Sequence, residues 1–344
     1  MPRRSLPRRN SLRRALYAFV AALAVGGCAT PPVPFVEPVV QPDRGPVLAR
    51  DDDLTIVIAA AGDNAQTLAQ RYLGDSRKGW WIAEANGEIR PGEVVVVPSR
   101  IRNRIGVYSD GYQAVPILCY HRFGAKASKL TVTPAAFAAQ MSYLARNGYY
   151  VLPMARIEEF LAGRAPLPKK SIIITIDDGY RSTFDIAYPI LKQHGFPATV
   201  FLYSDFVGAG DALTWAQMKE MTASGLVDVQ PHSKTHANLT LRLSDESDAR
   251  YRERVRREVD TPIALIKDRL SLPSATFAYP YGDVNEIVVD LLARQGAQMG
   301  VTVTPGGNGF FAYPYMLRRN MVFGNEDLDA FKAKLNVFVR IAGR

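Results

Sequence analysis

The stretch Ser171-Ile-Ile-Ile-Thr-Ile-Asp177-Asp178-Gly179-Tyr180 is an apolar, β-branched run that ends abruptly in two carboxylates and a glycine. Such a run reads as a strand buried on both faces, the habit of parallel sheets. Acids at its carboxyl end stand where open α/β sheets and barrels carry their chemistry. A second strand-like run, residues 226–231, leads directly into His232-Ser-Lys-Thr-His236. One carboxylate with two imidazoles is a metal-ligand set that leaves positions open for water.

Outward from this stretch the pattern repeats. Strand-like runs fall at 115–120, 148–152, 171–176, 198–203, 226–231, 275–279 and 297–303, with helical patterns between them at 133–146, 182–194 and 244–270. Alternation of this kind predicts an α/β architecture with a parallel sheet, and its extent fits one barrel better than two small domains. Four chemically active groups each follow a strand: His121, the Asp177-Asp178 pair, His232 with His236, and Pro280-Tyr281-Gly282. In a barrel those strand ends converge on one face. One helical turn across 232–236 would set both imidazoles on the same side. Successive strand residues point oppositely, so Asp177 and Asp178 are expected to diverge. That argues against a glycosidase acid–nucleophile pair and for separate duties, one on a metal and one on water. His194, followed by Gly195, reads as a residue of a helix C-terminus.

The motifs Thr175-Ile-Asp177-Asp178-Gly179, His232-Ser-x-x-His236 and Phe277-Ala-Tyr-Pro280-Tyr281-Gly282 resemble the first three motifs of the polysaccharide deacetylases, carbohydrate esterase family 4. The resemblance runs from residue 115 to about 320. It implies a distorted (β/α)7 barrel and a divalent metal, usually zinc, held by Asp178, His232 and His236. It further implies Asp177 as catalytic base and the Tyr281 backbone N–H as an oxyanion donor. Two positions depart from the family pattern. Ala278 stands where an arginine usually orients the base, and no histidine follows His236 to serve as the late general acid. Both departures resemble the branch acting on poly-N-acetylglucosamine exopolysaccharides, in which an early Tyr-His, here Tyr120-His121, supplies the acid.

The net charge of +9 is concentrated at the start of the chain: residues 1–27 hold six arginines and no acid, leaving +3 for the rest. The basic excess is therefore a targeting device and not a nucleic-acid surface. An apolar run from Ala15 to Val25 and then Gly26-Gly27-Cys28 resemble a bacterial lipoprotein signal, which implies lipidation at Cys28. With no aspartate after that cysteine, a periplasmic lipoprotein of the outer membrane is expected. The other cysteine, Cys119, lies in an apolar run and reads as a buried small hydrophobe.

A proline-rich tether is expected over 28–53, a small βααβ unit over 54–98, a polar linker over 99–114 and the large domain over 115–344. Gly62-Asp63, Ala69, Tyr72, Ala85-Asn86 and Pro91-Gly92 make the small unit similar to a LysM repeat, which implies affinity for peptidoglycan-type glycans. The expectation for the whole is a zinc-dependent hydrolase that removes acetyl groups from N-acetylglucosamine residues of an extracytoplasmic polysaccharide. Peptidoglycan N-deacetylation, O-deacetylation of another polysaccharide, and a catalytically silent lipid-anchored glycan binder are the alternatives.

Overall fold

The computed structural model describes residues 45–341, so the expected signal, Cys28 and most of the tether lie outside the described residues. Among the described residues no helix is long and apolar enough to cross a membrane.

The small unit has the expected βααβ order, with strands Leu54–Ile58 and Val94–Pro98 paired antiparallel and helices Ala65–Leu73 and Gly79–Asn86 between them. Its core is Val57, Leu68, Ala69, Ile82, Val95 and Val97. Polar residues of the motif hold the turns. Asp63 accepts from Ala60 N at 2.8 Å and pairs with Arg71, and the Asn86 side chain bonds both N and O of Val96. Two expectations are corrected at its borders. Val47–Arg50, placed in the tether, is a third strand paired with Leu54–Ile58. The linker is not featureless either: its strand Gly111–Gln113 pairs antiparallel with Phe338–Arg340, near the far end of the chain.

Beyond residue 114 the fold is mixed α/β. Parallel strands Val115–Tyr120, Ser171–Asp178, Ala198–Leu202 and Val227–Pro231 lie side by side in that order. On the other side of Val115–Tyr120, Asn320–Met321 pairs parallel with Leu118 and Cys119. A bridge from Leu317 to Val301 leads on to the parallel pair Met299–Val301 and Thr276–Ala278. All eight residues of Ser171–Asp178 are buried, as its composition requires. Strand alternation divides them. Ile172, Ile174 and Ile176 pack with Phe137, Met141, Leu191 and Met218 of the helices, whereas Ile173 faces an inner core of Ile117, Phe201, Met299 and Val301.

Among the described residues no backbone ladder joins Val227–Pro231 to Thr276–Ala278. The Gln230 side chain bridges this seam instead. Its Oε1 accepts from Thr276 N at 3.0 Å, and its Nε2 donates to Pro273 O and Asp228 Oδ2, each at 3.0 Å. Leucine at position 230 would leave the buried Thr276 N–H without an acceptor and two acceptors without a donor. Each orphaned group costs about 1–3 kcal/mol, so Gln230→Leu is expected to lose about 2–4 kcal/mol. Equilibrium urea unfolding measures that loss, and an unchanged midpoint would show the bridge to be idle.

Candidate active site

Six residues singled out from the sequence, His121, Asp177, Asp178, His232, His236 and Tyr281, line one cavity of about 400 Å³ at the carboxyl ends of the strands. Lys129, Leu130, Tyr279, Val303, Met321 and Phe323 complete its wall. Convergence of strand ends thus brings together every predicted site residue of the large domain.

The geometry within the cavity departs from the expectation in two places, for one reason. Alternation would send Asp178 towards the helices with Ile176. Its backbone is left-handed instead (φ 72°), followed by Gly179 at φ 82°. The turn swings its carboxylate back, so Asp177 Oδ2 and Asp178 Oδ1 lie 3.9 and 3.8 Å from the same His232 Nε2. The expected divergence of the two acids is therefore wrong. Nor is 232–236 a helical turn. It is an irregular loop in which Ser233 (φ 73°) and His236 (φ 62°) are also left-handed. Tyr281 adds a fourth such residue (φ 62°). Non-glycine residues held there cost of order 1–3 kcal/mol each, and such strain gathers at functional sites. Of six such residues among those described, Asp178, His236 and Tyr281 line this cavity and Ser233 directly follows His232, which also lines it.

Asp178, His232 and His236 offer donor atoms that all lie within 4.8 Å of one another. His236 Nε2 is 3.4 Å from Asp178 Oδ1, which is buried and has no hydrogen-bond partner. On the far side of the His232 ring, Nδ1 faces the Ala278 carbonyl at 2.8 Å. A carbonyl only accepts, so the proton belongs on Nδ1 and the Nε2 lone pair is turned into the cluster, the arrangement that fixes a metal-binding imidazole. Burial pushes the His232 pKa down to about 4 and lowers that of His236, keeping both rings neutral. Burial also pushes Asp178 up to about 6. An orphaned carboxylate oxygen among neutral imidazoles fits a divalent cation, which this donor set would hold with positions to spare.

Asp177 is held differently, by a residue the sequence reading missed. Arg319, fully buried, donates Nη1 and Nη2 to the two Asp177 oxygens at 2.7 Å each. Its Nε donates to Thr302 O at 2.9 Å and its Nη1 also to Thr175 Oγ1 at 3.2 Å. Burial would raise the Asp177 pKa, but the guanidinium outweighs it and holds the carboxyl well below the usual carboxylate range. An acid kept ionised this firmly can accept a proton but does not donate one. The arginine missing at Ala278 is thus replaced in space from position 319. A signal existed: two adjacent arginines, Arg318-Arg319, inside an otherwise apolar and aromatic stretch.

Cys119 is buried as expected, but it is more than a hydrophobe, because its Sγ lies 3.4 Å from Asp177 Oδ2. Cys119, His121 and Asp177 form a second close group of donor atoms. It does not suit a cation: Arg319 already occupies Asp177, and burial pushes the thiol well above its usual pKa. His121 is half-buried at the cavity wall, with its Nδ1 enclosed and unpartnered. Tyr281 is 61% exposed at the rim, its ring 4.9 Å from that of His236. Tyr279 is fully buried and its hydroxyl donates to Tyr315 O.

The sequence profile of the family Polysaccharide deacetylase matches residues 164–300. YxkH of Bacillus subtilis (strain 168), which bears a polysaccharide deacetylase name, is 30% identical over 219 residues, 64% of this chain and 75% of that one. The chain belongs to the polysaccharide deacetylase family. As a polysaccharide deacetylase it is an enzyme, and the Asp177–Arg319 pair and the Asp178–His232–His236 cluster are its candidate machinery. The poly-beta-1,6-N-acetyl-D-glucosamine N-deacetylase of Escherichia coli (strain K12) is 29% identical over 211 residues, covering 52% of this chain. This deacetylase spans only 31% of that relative's length. Among solved structures, IcaB from Ammonifex degensii superposes with a TM-score of 0.58 at 28% identity, covering 65% of this chain and 97% of that one.

Proposed function

We propose that this enzyme is a metal-dependent N-deacetylase that removes acetyl groups from N-acetylglucosamine residues of an extracytoplasmic polysaccharide of the poly-N-acetylglucosamine type. The observation that carries the reading is an orphaned carboxylate flanked by two neutral imidazoles beside an arginine-held aspartate, all in one open cavity. The fold is read as a distorted (β/α)7 barrel, supported by strand contacts that follow one another around a ring interrupted at the Gln230 seam. The names of the Escherichia coli relative and of the Ammonifex degensii structure support the choice of polymer.

Asp178, His232 and His236 would hold the cation, most suitably Zn²⁺ given two imidazoles and one carboxylate. When bound, it supplies Lewis-acid polarisation of the acetamide carbonyl and acidification of a water. Asp177 accepts that water's proton as the oxygen bonds to the carbonyl carbon; Oδ2, the oxygen facing His232 Nε2, is the one placed to do so. The Tyr281 backbone N–H, at the left-handed turn on the rim, is assigned to the developing oxyanion. His121 gives a proton to the departing nitrogen as the carbon–nitrogen bond breaks, leaving acetate and a glucosamine amine. For His121→Ala we expect kcat to fall by about 10²–10⁴-fold. Its metal content should match wild type, and loss of metal in that variant would instead place His121 among the ligands.

Peptidoglycan is the second polymer, favoured by the βααβ unit of residues 54–98, which we read as a LysM-like glycan-binding module. The reading as a silent binder is weakened by Arg319, which holds Asp177 although no arginine stands at Ala278. Lipidation at Cys28 would anchor the enzyme to the outer membrane on its periplasmic side. Acetate release from poly-β-1,6-N-acetylglucosamine, peptidoglycan and acetylated xylan tests the whole reading. The first polymer should react fastest, a chelator should stop the reaction, and added Zn²⁺ should restore it. No acetate from any of the three by zinc-loaded protein would overturn it.

A further inference from the structure

The helix Asp248–Leu270 turns one face to the interior, on Tyr251, Val255, Val259, Pro262 and Ile266. In the middle of that face stands a carboxylate, Glu258, only 7% exposed. A buried acid is expected to be ion-paired, since desolvating an unpaired charge is costly. Among the described residues Glu258 forms no ion pair, and Arg254, one turn back, is engaged with Glu246. Its partners are instead three donors of the loop that carries the two imidazoles. Oε2 accepts from Lys234 N at 3.1 Å and Thr235 N at 2.9 Å, and Oε1 accepts from Thr235 Oγ1 at 2.9 Å.

The place of these bonds in the loop decides what they do. The left-handed residues Ser233 and His236 bracket the two amides that Glu258 holds. Neither is glycine, so the loop is strained and keeps its shape only where bonds from outside impose it. On the carbonyl side, Ser233 O and Lys234 O accept from Ser204 N and Asp205 N. On the amide side, His232 N is taken by Leu202 O and His236 N by Ser233 Oγ, so the amides of 234 and 235 are held by Glu258 alone. The His232 ring is fixed directly, by Ala278 O. The direction of His236 is set by the loop backbone that carries it.

Resting on the reading of Asp178, His232 and His236 as cation ligands, we propose that Glu258 is a positioning residue for the metal centre. It holds the amides of 234 and 235 so that both imidazoles face Asp178 before any cation is bound. A loop free to leave its left-handed turns would have to be reordered by the cation, and that work would be lost from the affinity. Glu258 acts through the loop and not on the substrate.

The test measures zinc affinity, by competition with a chromogenic chelator at neutral pH, for wild type, Glu258→Ala, Glu258→Gln and Glu253→Ala. Glu258→Ala should bind zinc about 10–100-fold more weakly than wild type. Glutamine keeps one oxygen for both amides and turns its NH2 to the Thr235 hydroxyl, which can accept, so Glu258→Gln should recover most of that loss. Glu253, on the same helix and paired with Arg256 at the surface, is the control, and its variant should match wild type. In metal-free Glu258→Ala the amides of 233–236 should exchange with deuterium faster than in wild type, with those of Ser171–Asp178 unchanged. At full zinc occupancy its kcat should return towards the wild-type value, because the chemistry itself is untouched. Wild-type zinc affinity in Glu258→Ala would overturn the positioning role alone. So would a fully loaded Glu258→Ala that stays inactive, or exchange quickened equally throughout the domain, the mark of a residue needed only for folding. Wild type that binds no zinc would overturn the reading of the cluster and this role with it.

Discussion

Asp178→Asn should purify as a folded protein without its cation and release acetate about 10³-fold more slowly than wild type. Asparagine keeps the shape of the side chain and tolerates the left-handed backbone that Asp178 adopts at φ 72°. It removes the charge that makes the buried, unpartnered Oδ1 a cation ligand. In the metal-free state the variant has lost a desolvated carboxylate, so its urea midpoint should equal or exceed that of metal-free wild type. His232→Ala should lose metal and activity to the same degree but also stability, by about 1–3 kcal/mol, because the Ala278 carbonyl forfeits its partner. Elemental analysis, acetate release and urea unfolding on the two variants separate these effects. Full metal occupancy in either variant would refute the ligand assignment.

The second large effect belongs to Asp177 and Arg319. Asp177→Asn should reduce acetate release by about 10²–10⁴-fold while leaving the metal ligands in place. It should also cost about 3–5 kcal/mol, because Arg319 is left as an uncompensated buried cation. Arg319→Met should cost a similar amount from the other side. With the guanidinium gone, the strongest influence holding the Asp177 pKa down is removed while burial still raises it, so the base is weakened as well as unheld. The double variant Asp177→Asn/Arg319→Met removes both charges. It should regain most of the lost stability and none of the lost activity. The stability difference between wild type and Asp177→Asn carries a pH signature. The folded pKa of Asp177 is depressed, so its contribution is complete above the unfolded value of about 3.9 and shrinks as pH falls from there towards the folded value. A double-mutant cycle in urea at pH 7 and pH 3 measures all of these quantities. A coupling energy near zero at pH 7 would show the pair to be decorative.

The line between what could and could not be read from the sequence follows physical range. Strand positions, the order of the small unit and the gathering of His121, Asp177, Asp178, His232, His236 and Tyr281 into one cavity rest on periodicity and on the rule that parallel strand ends converge. Those are local or topological properties. What escaped were contacts between residues far apart in the chain. Arg319 meets Asp177 across 142 positions, and no spacing rule links the two. Backbone handedness was equally invisible. Nothing in the identity of Asp178, Ser233 or His236 announces a positive φ, since only glycine takes that region freely, and a two-residue alternation rule fails wherever it occurs. The strand in 47–50 and the pairing of 111–113 with 338–340 were missed because strands of three or four residues carry little period of their own.

The seam between Val227–Pro231 and Thr276–Ala278 has a consequence for how the molecule breathes. A sheet held at one line by two side chains, Gln230 and His232, opens there before it opens along the ladders of Ser171–Asp178, where more cooperative bonds must break. His232 stands on one lip of the opening and its Ala278 partner on the other. Amide protons bordering the gap, Thr276 foremost, should thus exchange with deuterium ahead of those in Ser171–Asp178. A cation seated on His232 should slow them, so that occupancy of the centre can be followed by mass spectrometry without any substrate at all.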